Sequence, residues 1–266
     1  MSVLVVIPAR YASTRYPGKP LVILKGANGV EQSLIERSWR AACQVDGVDR
    51  VVVATDDARI QQAATGFGAE VVMTSETCGN GTERCAEALE NIGGGYDIVV
   101  NLQGDAPLTP HWFIEDLVAG LRADPMAEVA TPVLRCDGRT LNSLLEDRRA
   151  GRVGGTTAVF SKDRHALFFS KEVIPFTPKT YENADDTPVF HHVGVYAYRP
   201  SALAAYPLWE SGPLEHLEGL EQLRFLERGR PVLCVEVEAR GRQFWELNNP
   251  EDVPKIESMM AEMGME

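Results

Sequence analysis

Between Pro8 and Leu21 the chain carries three permanent cations, Arg10, Arg15 and Lys19, interleaved with Ser13, Thr14 and Gly18. Guanidinium groups offer planar bidentate donors and an ammonium a compact charge, while hydroxyls and backbone amides can complete a cradle, so the set suits a polyphosphate. A solvated basic loop is the bland alternative. Two features favour the phosphate. The loop follows Val3 to Ile7, an apolar run too short for a helix core that reads as a buried strand, and open α/β sheets collect ligands at such strand ends. The rest of the chain is acidic: Lys+Arg 26 against Asp+Glu 38 leaves a net charge of -12, so a basic loop is a local exception. The spacing is not that of a P-loop, because Gly18-Lys19 lacks the upstream glycine, and it is not a dinucleotide fingerprint.

A second candidate is Gln103-Gly104-Asp105-Ala106-Pro107, directly after the apolar run that ends at Leu102. A carboxylate there can hold Mg2+ against a phosphate oxygen, or simply open a turn with Pro107; Gln103 offers both a donor and an acceptor. Cys78 to Arg84 is glycine-punctuated. Its amides could meet a nucleobase edge, while Asn80-Gly81 is also a common turn and Thr82 a common cap. His191 to Tyr198 alternates, which predicts a strand with His192, Gly194, Tyr196 and Tyr198 on one face. Those donors fit a polyhydroxylated acid, although a lone strand histidine is more often satisfied within the fold, and adjacent histidines point apart and make a poor metal pair. Pro213 to Arg224 predicts one helix with Leu214, Leu217, Leu220 and Leu223 inward, and with Glu218 and Gln222 sharing a face.

The elements that must hold these groups follow from periodicity. Strands are expected at 51–54, 69–73, 97–102, 127–134, 156–160, 165–169 and 232–237, and helices at 31–44, 58–65, 82–92, 111–122 and 250–263. Asp56 or Asp57 caps the helix from Ala58. The charged segment 135–155 reads as a surface excursion and 177–186 as a polar mobile loop. Strand and helix alternate through the first 75 residues, which predicts parallel βαβ units. The expected fold is therefore α/β, a mostly parallel, partly mixed sheet between helices. All 266 residues are read as one domain, with a lobe from about 135 to 200 over the site.

Composition narrows the function. A pI of about 5.0 argues against unspecific binding to nucleic acid or anionic membranes. No basic leader and no stretch of membrane-spanning length is visible, so cytoplasm is the default location and membrane insertion is not expected. Five cysteines, scattered and without a Cys-x-x-Cys pair, indicate neither a disulfide framework nor a zinc site.

Taken together and in order, four segments make a pattern. Val-Ile-Pro-Ala-Arg-Tyr-Ala-Ser-Thr-Arg-Tyr-Pro-Gly-Lys-Pro-Leu at 6–21, Val-Ala-Thr-Asp-Asp at 53–57, Asn-Leu-Gln-Gly-Asp-Ala-Pro at 101–107 and Pro-Leu-Glu-His-Leu-Glu-Gly-Leu-Glu-Gln-Leu-Arg at 213–224 closely resemble the CMP-Kdo synthetase (3-deoxy-manno-octulosonate cytidylyltransferase) family. Gly81-Thr82-Glu83-Arg84 and His192 to Tyr196 fit the same pattern. The resemblance implies a Rossmann-like nucleotidyltransferase, CTP and a sugar acid as substrates, Mg2+ as cofactor, and a homodimer. It gives Arg10, Ser13, Arg15 and Lys19 to the triphosphate, Pro8, Ala9, Asn80, Gly81 and Arg84 to the cytidine, and counts Gln103 among the nucleotide-binding residues as well. It makes Asp105 a metal ligand and places Gln103, His192, Tyr196, Glu218 and Gln222 around the sugar acid; Arg10, Lys19 and Asp105 form the catalytic set.

Two departures stand out. The family's second metal-binding aspartate is replaced by Asn248, whose amide oxygen can coordinate Mg2+ but brings no charge. A family lysine falls at Thr157, and a family arginine at Lys171. Both changes lie in the acceptor half, so the alternatives to Kdo are another ulosonic acid, a phosphonate, or a homologue that holds CTP without turnover. A glycosyltransferase of similar architecture would show a mid-chain Asp-x-Asp motif, which is absent.

Overall fold

A computed structural model of the chain describes residues 1–12, 16–104, 107–153, 155–177, 181, 183–242, 247 and 249–265. The chain divides into two compact units, Met1–Glu115 with Arg199–Ala204 and Ala239–Glu266, and Asp116–Tyr198 with Ala205–Glu238. In order, the elements are β1 (Val3–Ala9), β2 (Ile23–Lys25), β3 (Glu31–Ser33), α1 (Leu34–Ala42), β4 (Arg50–Thr55), α2 (Ala58–Gly66), β5 (Glu70–Met73), α3 (Gly81–Ile92), β6 (Ile98–Leu102) and α4 (His111–Ala123). Then follow β7 (Val129–Arg135), α5 (Gly138–Arg149), β8 (Thr156–Phe160), β9 (Ala166–Ser170), β10 (Phe190–His192), β11 (Val195–Tyr198), α6 (Pro200–Ala205), α7 (Pro213–Glu218), α8 (Leu223–Glu227), β12 (Val232–Glu236) and α9 (Asp252–Glu262).

In the first unit β5, β4, β1 and β6 lie side by side in that order, all parallel. Every residue of β1 is buried, as a strand covered by helices on both faces requires. Parallel pairing carries all the C-terminal ends to one edge: Ala9 stands beside Thr55, and Val6 beside Asn101. The loops after β1, β4 and β6 therefore leave from the same edge, which is where a ligand of such a sheet is held. A separate cluster of Leu24, Leu34, Leu108, Leu247, Ile256 and Met260 packs α9 against the β2–β3 hairpin, and buried Arg37 of α1 clamps that hairpin by donating to the carbonyls of Leu24 at 2.8 Å and Val30 at 3.2 Å.

In the second unit β7 is the hub. It pairs antiparallel with β10 and β11 and parallel with β12, while β10 pairs with β8 and β8 with β9. The α/β class with a mixed sheet between helices is thus the one expected.

Four sequence expectations need correction. The helix expected at 31–44 starts only at Leu34, because Glu31–Ser33 pairs with β2 and Ser33 becomes the cap, accepting from the Glu36 amide. The excursion at 135–155 contains α5, capped by Asp137 and held through Leu141 and Leu144 against Cys136 and Val189. The alternating run from His191 to Tyr198, expected as one strand, is two short strands, and all of β11 is buried. The helix expected at 213–224 breaks at Gly219, whose backbone is left-handed. Its leucines do not form one inner face: Leu214 and Leu217 are exposed and Leu220 is half-buried, while Leu223 is buried together with Glu215, Gln222, Arg224 and Phe225.

Candidate functional site

The first unit brings most of the nucleotide candidates to one edge of its sheet. Pro8 and Ala9 are the buried end of β1, and Arg10 emerges beyond them, exposed. The segment returns at Gly18, whose φ of +72° is a conformation that side chains with a Cβ disfavour. The Gly18 amide donates to the Tyr11 carbonyl at 2.9 Å, and Lys19 opens a short 3-10 turn to Leu21. Arg10 and Lys19 thus leave from two chain ends tied together beside the strand end. Ser13 and Arg15 lie outside the described residues.

The first turn of α3 faces the same edge. Asn80 is its cap, accepting from the Glu83 amide at 2.9 Å, while the Glu83 carboxylate accepts from the Gly79 amide at 2.7 Å. This reciprocal arrangement locks the loop; Thr82, buried, is not the cap. Gly81 is crowded here. A Cβ would stand 2.9 Å from Gln103 Nε2 and 3.2 Å from Asn101 Nδ2, so a larger residue would have to push the flexible end of Gln103 aside, and glycine lets the helix start against β6 with that side chain in place. The Asn101 carboxamide is wholly buried and neither of its polar atoms has a hydrogen-bond partner, which costs roughly 1–3 kcal/mol for each such group. One turn into α3, Arg84 is buried and spoken for: Nη1 donates to Thr74 Oγ1 at 2.5 Å and Nη2 to Asp56 Oδ2 at 3.3 Å. Its guanidinium joins the ends of β4 and β5 to α3. Asp105 lies outside the described residues, as does Asn248. Among the described residues no group of three or more His, Cys, Asp and Glu is placed to hold a metal ion.

The second unit assembles the acceptor candidates. His192 Nε2 lies 2.9 Å from Thr131 Oγ1, and the threonine hydroxyl also sits 2.9 Å from the Val195 carbonyl. With the single hydroxyl proton on that carbonyl, Nε2–H of His192 donates to Thr131. Burial, with His191 alongside, pulls the imidazole down to about 3, so His192 is neutral at any physiological pH. Its ring tilts against Phe169 at 4.9 Å and Tyr196 at 5.7 Å. The Tyr196 hydroxyl donates to Gln222 Oε1 at 3.0 Å, and Gln222 Nε2 is buried with no partner.

Glu218 is held by β9: Ser170 Oγ donates to it at 2.7 Å and the Lys171 amide at 2.9 Å. The Lys171 ammonium reaches to 3.0 Å of where a Cβ on Gly219 would lie, so a cation stands over the α7 break beside Glu218. Thr157, at the position where the resemblance puts a lysine, is buried and ties Glu172 and Ile174 together, donating to the Glu172 carbonyl at 2.7 Å. Sequence reading missed the parts that position this cluster. Thr131 lies inside an apolar strand, and the Glu215–Arg224 pair bridges a helix break that periodicity concealed.

A family model described as cytidylyltransferase matches residues 4–235. The 3-deoxy-manno-octulosonate cytidylyltransferase of Maricaulis maris is 47% identical over 99% of this chain and 99% of its own length. The protein of that name from Chlamydia pneumoniae is 40% identical over 96% of this chain and 92% of its own length. Among solved structures, CMP:2-keto-3-deoxy-manno-octonic acid synthetase complexed with CTP matches with a TM-score of 0.83 at 33% identity, covering 99% of this chain and 100% of that one. With a cationic loop at the end of β1 and relatives alike from end to end, the chain belongs to the 3-deoxy-manno-octulosonate cytidylyltransferase family.

Proposed function

We propose that the protein transfers the cytidylyl group of CTP to a sugar acid, Kdo, releasing pyrophosphate. The observation that carries this reading is the end-to-end similarity to a relative named for that activity, at 47% identity, in a chain whose β1 ends in the cationic segment. In this reading Arg10, Arg15 and Lys19 neutralise the triphosphate, with Ser13 adding a hydroxyl, while Pro8, Ala9 and the Asn80–Gly81 backbone frame the cytosine. Arg84 holds that frame through Thr74 and Asp56. His192, Tyr196, Glu218 and Gln222 hold the acid, Lys171 supplies a cation for its carboxylate, and Gln103 belongs to the nucleotide frame.

An acceptor hydroxyl oxygen attacks the α-phosphorus in line. A new O–P bond forms, the bond between the α-phosphorus and the bridging oxygen breaks with its electron pair leaving on pyrophosphate, and the hydroxyl proton passes to solvent. No covalent enzyme intermediate is needed, and the residues act by alignment and by charge neutralisation. CTP-using enzymes of this family generally work with a divalent metal. The donor set fits Mg2+: Asp105 offers hard anionic oxygens and Asn248 a neutral one, and the ion, when bound, supplies further positive charge to the phosphates. We also propose a cytoplasmic homodimer with residues 135–200 as its acceptor and dimer lobe.

The test is pyrophosphate release from CTP and Mg2+ with Kdo beside other ulosonic acids and phosphonates, for wild type and Asn248→Asp. Turnover with Kdo by wild type is expected. Turnover only with another acid would move the specificity, and silence until Asn248→Asp is made, with CTP still bound, would mean a CTP-holding homologue.

A further inference from the structure

Arg59 belongs to no candidate set, yet it is built into the base of the cationic segment. Its guanidinium lies 3.3 Å from the centre of the Tyr11 ring, well within cation–π range. Asp57 holds it from the other side: Nε donates to Oδ1 at 3.0 Å and Nη2 to Oδ2 at 2.6 Å. The same carboxylate accepts from the Arg59 amide at 2.8 Å as the cap of α2, so the arginine is fixed to a helix end and not merely extended into solvent. Tyr11 in turn faces Gly18. Ring atoms of Tyr11 stand 3.1 Å from where a Cβ on Gly18 would lie, and the Tyr11 carbonyl accepts from the Gly18 amide at 2.9 Å. One aromatic ring is thus packed against the returning end of the segment and covered by a cation anchored on α2.

We propose that Arg59 is a positioning residue for the triphosphate: acting through Tyr11, it keeps the two chain ends that carry Arg10 and Lys19 closed together, so that CTP meets them already aligned. This rests on the reading of Arg10 and Lys19 as triphosphate ligands. Closing the ends beforehand removes an ordering cost at binding, and that cost concerns the phosphates and not the cytidine. Loss of Arg59 therefore weakens CTP and spares CMP, a pattern that a general loosening of the fold would not produce.

The experiment is calorimetric titration of the full chain with CTP and, separately, with CMP, for wild type, Arg59→Ala, Arg59→Lys, Tyr11→Leu and the Arg59→Ala/Tyr11→Leu double variant. Arg59→Ala is expected to raise the Kd for CTP about two- to fivefold, the range of an exposed cation–π contact, with the Kd for CMP unmoved. Arg59→Lys, which keeps a cation over the ring, restores part of the loss. The double variant is no worse than the poorer single one, because the two residues act as a unit. Equal weakening of CTP and CMP would overturn the inference, as would additive losses, or a loss in Arg59→Ala with none in Tyr11→Leu, which would make Arg59 a direct phosphate ligand. Wild type that binds no CTP would overturn the cytidylyltransferase reading and this inference with it.

Discussion

The buried pair Glu215–Arg224 should dominate the stability of the segment that carries Glu218 and Gln222. Arg224 donates from Nε and Nη2 to the two carboxylate oxygens of Glu215, each at 2.7 Å, and the two side chains are only 5% and 10% exposed. Glu215→Ala leaves the guanidinium buried beside neutral groups, among them Ser211 Oγ at 2.9 Å and the Tyr206 ring at 4.1 Å. Breaking one side of a buried pair costs about 3–5 kcal/mol, because the remaining charge is left in a poorly solvating place. That is a large share of the roughly 5–15 kcal/mol typical of a folded domain. The control is Glu128→Ala, which breaks a pair with Arg230 whose side chains are 26% and 44% exposed and should cost about 0.2–1 kcal/mol. Urea unfolding followed by circular dichroism measures both. Because α7 and α8 carry the acceptor candidates, the same variant should raise the KM for Kdo more than that for CTP. The double variant Glu215→Leu/Arg224→Met should recover much of the loss, since it buries no charge. Equal, small losses in Glu215→Ala and Glu128→Ala would refute the reasoning, as would a double variant no more stable than the single.

Two further outcomes are expected. Gly81→Ala places a methyl 2.9 Å from Gln103 Nε2; the glutamine can swing aside at about 1 kcal/mol, so thermal stability should barely change while the KM for CTP rises, and unchanged kinetics would remove Gly81 from the nucleotide frame. His192 should make the protein acid-sensitive. Its folded pKa of about 3 lies below the unfolded value near 6.5, so between these limits the unfolded chain binds a proton that the folded chain refuses. Stability is then full above pH 6.5 and falls as pH drops, by about 1.4 kcal/mol per unit, or about 2 kcal/mol at pH 5. His191, which burial brings down to about 4, adds a similar slope between pH 7 and 5, so His192→Gln should roughly halve the slope in unfolding curves taken there; an unaltered slope would show that His192 does not contribute to it.

Much of the nucleotide half was legible in the residues themselves. A five-residue apolar run has one way to bury itself, and so Arg10, Lys19 and Gln103 could be placed at the ends of buried strands from the chain alone, whereas the Asn80–Gly81 loop stayed open between a nucleobase frame and a common turn. The caps at Asp57 and the start of α3 followed from short-range chemistry, although the choice of Asn80 over Thr82 depended on Glu83 reaching back to Gly79. Tertiary structure decided the rest, because contacts distant in sequence override local period. The leucines of 213–224 promised one inward face, yet the buried groups are Glu215 and Arg224, which satisfy each other across the Gly219 break and need no apolar partner. The alternation of 191–198 promised one core face and one face of donors, but the run is broken into two short strands and every residue of β11 is buried. Tyr11 and Arg59 are separated by three strands, a helix and a helix cap, and nothing in either neighbourhood announces that they meet. Local sequence dictates which backbone conformations are cheap; only the folded chain determines which side chains are left facing each other.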